Sequence, residues 1–127
     1  MNIAFWCVLI AGLMPVVTVA IAKWGVRGYD NNEPRAWMEQ LQGLRRRADY
    51  AHRNHFEAFP FFAAAVIIAS HLQAPQGLLD GFALLFIGAR IVYTLCYLYD
   101  RATLRSIVWS ISYLCIIGIF LIPVFKT

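Results

Sequence analysis

Only 14% of the 127 residues are charged, and 61% are hydrophobic. A soluble domain of this length carries about 25% charged residues, so the composition excludes an ordinary soluble domain. The formal net charge of +4 does not argue for nucleic acid, because the arginines cluster beside apolar stretches with no soluble domain to display them.

Four stretches reach the roughly 20 apolar residues that a membrane-spanning helix needs. The first, from about Ile3 to Ala22, carries no charge. It lacks a basic leader region and is longer than a signal-peptide core, so it reads as a retained helix. Gly12 and Pro15 predict a bend near its middle. The first connection, Gly25 to about Gly43, holds the turn-rich run Tyr29-Asp-Asn-Asn-Glu-Pro-Arg35. Within it, Ala36 to Leu44 suits a short interfacial helix with Trp37, Leu41 and Leu44 toward lipid.

The second stretch runs from about Arg46 to His71, with Pro60 inside it. Ala74-Pro75-Gln76-Gly77 is a tight connection to the third, from about Gly77 to Tyr99, which carries Arg90. Another short connection precedes the fourth, from about Leu104 to Phe125. Short connections make sequential helices antiparallel neighbours. The expectation is an all-α integral membrane protein, an up-down four-transmembrane-helix bundle forming one domain over residues 1–127. Connections one and three carry the lysines and arginines, whereas His71 to Leu79 has none. The positive-inside rule then places both termini outside and the basic connections in the cytoplasm, with Lys126 a minor contrary vote. Cys7, Cys96 and Cys115 all fall within helices and lack metal-ligand spacing, so they read as small buried apolar residues.

The polar residues are few and placed together. Arg53, Asn54 and Glu57 stand at the mouth of the second apolar stretch, within about a 100° arc that also holds Tyr50. Arg53 offers a fork for a carboxylate, Glu57 an acceptor for an ammonium, and Asn54 both donors and an acceptor. They suit a small zwitterion at a membrane edge. Arg90, Tyr93 and Tyr97 share an arc of about 60° on the third helix. Arg105, Ser106 and Trp109 share a face at the start of the fourth. All three sets lead to the cytoplasmic helix ends and can converge. Each has a plainer reading: arginines there also snorkel and fix topology, and aromatic residues form interfacial belts. Arg90, deeper in its helix, needs a partner, which could be Glu57, Asp100 or a ligand carboxylate. His52 and His55 flank the cluster without a third metal ligand at suitable spacing, and no metal is expected.

Ala51 to Pro60 resembles the A-x-x-N-x-x-E-x-x-P signature of the MAPEG family, the membrane-associated proteins of eicosanoid and glutathione metabolism. Ala89 to Ser106, with Ala-Arg-Ile-Val-Tyr-Thr-Leu-Cys-Tyr-Leu followed by Leu-Arg-Ser, is similar to a second family motif. Tyr29 to Arg35 resembles the bacterial branch, which implies the inner membrane. The resemblance implies a homotrimer binding glutathione between subunits near the cytoplasmic face. Arg53, Asn54, Glu57, Arg90, Tyr93, Tyr97 and Trp109 would line that site, Arg105 would be catalytic, and Ser106 would stand beside it. Lys23 would replace a family arginine. Three positions depart from the pattern. Tyr50 stands where the family often has arginine, with Arg47 one turn earlier as a substitute. Tyr93 and Trp109 stand where some members have histidine and tyrosine.

The chemistry implied is a glutathione-dependent transferase or peroxidase. A thiol of pKa near about 8.5 is held as thiolate by a guanidinium and a hydroxyl, then attacks a lipophilic electrophile or hydroperoxide. The alternative is a non-catalytic MAPEG-fold ligand-binding or scaffold subunit of a membrane complex. A small four-helix multidrug exporter is disfavoured, because such proteins place an acidic residue in the first helix and this one has none.

Overall fold

The computed structural model describes residues 1–126. The described residues form α1 (Ile3–Lys23), α2 (Pro34–Glu39), α3 (Gly43–His71), α4 (Gln76–Leu98), α5 (Ala102–Leu121) and a terminal 3-10 turn (Ile122–Phe125). The four long helices run antiparallel in sequence. Arg45, at the start of α3, donates to the Ala22 and Trp24 carbonyls at the end of α1. Arg47 donates to Tyr97 O and Leu98 O at the end of α4. At the opposite end, the Asp80 carboxylate of α4 accepts from Ala4 N of α1 at 2.9 Å, and Lys126 Nζ donates to Gln73 O at 2.7 Å.

These contacts are helix caps made across the bundle. A helix leaves four carbonyls unpaired at its C-terminus and four N–H groups at its N-terminus, and cations suit the former as carboxylates suit the latter. Within the chain, Asn2 caps α1 by accepting from Phe5 N. Gln73 and Asp100, both at positive φ, close the last turns of α3 and α4.

The core lies between α1, α3, α4 and α5, where Phe62 stacks on Phe86 with ring centroids 3.9 Å apart. α5 approaches α4 closely at Gly118, which lies under the Phe82 ring. Among the described residues, three helices are long and apolar enough to cross a membrane: α1, α4, and α5 with its terminal turn. α3 falls short of that standard because its first half carries Arg45, Arg46, Arg47, Asp49 and Arg53. Its 29 residues make about 43 Å of helix at 1.5 Å per residue, more than the roughly 30 Å of a hydrocarbon core. The polar half therefore has length to stand clear of lipid, and the helix keeps close to the expected limits of Arg46 and His71.

The interfacial helix also differs from expectation. α2 is shorter and starts earlier, because Pro34 occupies its first turn. Leu41 does not face outward. It is buried with Met38, Ala22 and Ala48 in a small second core, which fastens the connection onto α1 and α3.

Candidate functional site

Arg90 is the centre of the site. It is 1% exposed, although its helix is apolar. The expected partners, Glu57 and Asp100, are not its partners: among the described residues no carboxylate lies within ion-pair distance of it. Nη2 donates to Asn54 Oδ1 at 2.8 Å and to His55 Nδ1 at 2.9 Å, and Nε lies 3.3 Å from the same His55 nitrogen. The Asn54 amide stands between Arg90 and Glu57, since its Nδ2 donates to Glu57 Oε2 at 3.2 Å. The remaining guanidinium nitrogen, Nη1, is buried with no partner.

Nη1 belongs to a side chain that borders a cleft of about 100 Å³, together with Asn54, Glu57, Phe61, Trp109 and Tyr113. Three helices thus meet here, and each brings residues singled out by sequence. Trp109 stacks on Tyr113 at 5.3 Å, flattening the α5 wall. From Arg90 a ladder of rings leads toward the basic end of the bundle. The Arg90 guanidinium lies 4.2 Å from the Tyr93 ring centre, Tyr93 meets Tyr97 edge-on at 5.6 Å, and Arg105 lies 4.4 Å over Tyr97. Each cation faces the negative face of a ring, which holds charge in place without a carboxylate. Tyr93 is buried; Arg105 is half-buried on the first turn of α5, and Ser106 beside it is exposed.

Arg53 is not brought to this group. It turns to the other side of α3, pairing with Asp49 at 2.9 Å and with Glu39 of α2 at 3.3 Å. There it borders a larger cleft of about 550 Å³, between α1, α2 and α3, which also contains Lys23, Arg35 and His52. Glu57 borders both clefts. Arg47 does not substitute at Tyr50, since its guanidinium caps α4; Arg46 reaches Tyr50 instead, at 2.6 Å.

Four residues that hold these groups carried no functional role in the sequence reading. His55 and Thr94 support Arg90, and Asp49 and Glu39 support Arg53. Asp49 was findable, because it stands one helical turn before Arg53. Thr94 shares the Arg90 face four residues on. Glu39 and His55 gave no signal, since their contacts depend on how helices pack.

No curated protein and no solved structure matches the chain. The family model described as the MAPEG family matches residues 3–125. With its three membrane-length apolar helices and that match over nearly its whole length, the chain is an integral membrane protein that belongs to the MAPEG family.

Proposed function

We propose that this protein is a membrane-bound, glutathione-dependent transferase or peroxidase, working as a homotrimer of one-domain, four-helix subunits in a bacterial inner membrane. The observation that carries the reading is Arg90: a buried cation with no carboxylate, one edge unpartnered, beside a cleft that also holds Glu57 and Trp109. A buried charge without a counter-ion is costly unless a ligand uses it. Glutathione carries two carboxylates and one ammonium. Arg90 offers donors for the former, and Glu57 offers an acceptor for the latter.

Arg105 is the residue for the thiol. Held over Tyr97 at the α5 start, it adds positive charge where a helix N-terminus already favours an anion. Bound there, glutathione supplies the sulfur nucleophile, and the guanidinium with Ser106 favours its thiolate form. The acceptor reaches it from lipid. Arg53 and the Arg90 group border different clefts of one subunit. A trimer supports both sets at a shared site if the Arg53 face of one subunit meets the Arg90 face of the next.

Native mass spectrometry in mild detergent, with and without glutathione, combined with turnover of an activated aryl halide, tests the proposal. The expected result is three subunits, bound glutathione and thioether product. A mass of one or two subunits would count against the trimer. Glutathione bound without turnover would favour the non-catalytic ligand-binding subunit, and no binding would remove both readings.

A further inference from the structure

The hydrogen bonds around Arg90 close into a ring, and the ring fixes the protonation of a second buried residue. A guanidinium only donates. Arg90 Nε and Nη2 both reach His55 Nδ1, at 3.3 and 2.9 Å, so Nδ1 offers a lone pair and the imidazole proton lies on Nε2. That nitrogen is 2.8 Å from Thr94 Oγ1. Thr94 gives its own proton to the Arg90 carbonyl at 2.9 Å, so its oxygen is free to accept from Nε2. The ring runs from the Arg90 side chain to His55, to Thr94, and back to the Arg90 backbone. His55 itself is 3% exposed and packs edge-on against Tyr93.

We propose that His55, held as the neutral Nε2–H tautomer by Thr94, is a positioning residue that turns Arg90 so that its Nη1 edge meets a carboxylate of the bound thiol. The identity of that ligand rests on the glutathione reading. Left free, the guanidinium would be drawn toward Glu57, to which Asn54 links it. Such an ion pair would fill the cleft and consume the acceptor that the ligand ammonium needs. His55 and Asn54 hold the guanidinium back by using Nε and Nη2, and only Nη1 stays available. The other tautomer would aim Nδ1–H at a cation and open the ring, so Arg90 and Thr94 together select the Nε2–H form.

Nitrogen NMR of the imidazoles in detergent, with calorimetric titration of glutathione and of its diethyl ester, tests the positioning role. The parent should show His55 with a bare Nδ1 at neutral pH. Thr94→Val is close in shape and sits at a half-buried position, so the fold should persist. It should move the His55 nitrogen signals, because Nε2–H loses its acceptor, and weaken glutathione roughly tenfold, within the range for residues coupled in one network. The ester, without carboxylates, should bind equally to parent and variant. Thr94→Ser should restore both signals, and His55→Asn, which keeps an acceptor near Nδ1, should keep most of the affinity. In an Arg90→Gln background, Thr94→Val should have no further effect.

A parent with a proton on His55 Nδ1 overturns the positioning role. So does equal weakening of acid and ester, or an undiminished Thr94→Val effect without Arg90. A parent that binds no glutathione overturns the function reading, and the ligand end of this proposal with it. The two failures are distinct, because the first set arises only in a protein that binds the thiol.

Discussion

Two arginines of the site solve the same problem in different ways. Arg53 has carboxylates, one of them on a residue only 3% exposed. Arg90 has neutral acceptors and a ring face. Arg53→Ala should therefore lower stability, because it strands Asp49 inside the protein. Arg53 is itself exposed, so the loss should be about 1–2 kcal/mol, below that of a fully buried pair. Thermal unfolding in detergent measures it, and Asp49→Asn added to Arg53→Ala should recover most of it. An unchanged melting temperature would mean that Asp49 is solvated. Arg105→Leu should behave differently. It touches the Tyr97 ring and, among the described residues, no carboxylate within ion-pair distance, so the fold should tolerate it. Its loss should raise the pKa of bound glutathione and slow turnover more than it weakens binding. Thiolate absorbance titrated against pH reads this directly; a variant with normal pKa and rate would move the role to another residue. The types of these side chains were legible in sequence, and their directions were not. Asn54 and Arg53 are adjacent, and one residue on a helix turns a side chain by about 100°. Which of the two meets Arg90 depends on how α3 lies against α4, information that resides in packing.

At the level of helices, the basic run Arg45-Arg46-Arg47 has a division of labour. Arg45 caps α1, Arg47 caps α4, and Arg46 bonds Tyr50. Arg47→Ala should cost about 1 kcal/mol through lost capping of two carbonyls, and Arg46→Ala should cost less. Equal effects would show that the run acts only as net charge. Gly118 tests another feature of the packing. A Cβ there would stand 2.9 Å from Phe82 Cε1, so Gly118→Ala must displace the ring and should destabilise by about 1–3 kcal/mol. Phe82→Leu in the same chain should relieve part of that loss; no relief would put the strain elsewhere. Three long helices could be read from apolar length, in spite of Asp80 and Arg90 in α4 and Arg105 in α5, which is why α1, α4 and α5 lie close to their expected limits. α3 also lies within three residues of its expected limits, although its first half offers no apolar length to read. Its charged first half continues the helix for reasons outside its own composition, namely the caps it supplies to α1 and α4. The reach of α2 was also obscured, since Leu41 is drawn inward by Met38 and Ala48 rather than outward by lipid.

For the molecule as a whole, the antiparallel order sets the two ends apart. One end gathers Lys23, Arg45, Arg46, Arg47 and Arg105 around the ends of α1 and α4 and the starts of α3 and α5. The other holds Asn2 beside Gln76 and Lys126 beside Gln73. Cationic connections are retained on the cytoplasmic side, so the Arg105 end should face the cytoplasm and the other end should face out. Cysteine labelling in intact cells decides this cleanly, because Cys7, Cys96 and Cys115 are all buried and contribute little background. A cysteine at Asn32, in the exposed first connection, should react with a charged maleimide only after the membrane is opened. One at His71, exposed at the end of α3, should react in intact cells. The reverse pattern would place the Arg105 end outside. A thiol activated there would draw on a glutathione supply outside the cytoplasm, and the proposed chemistry would need a periplasmic donor.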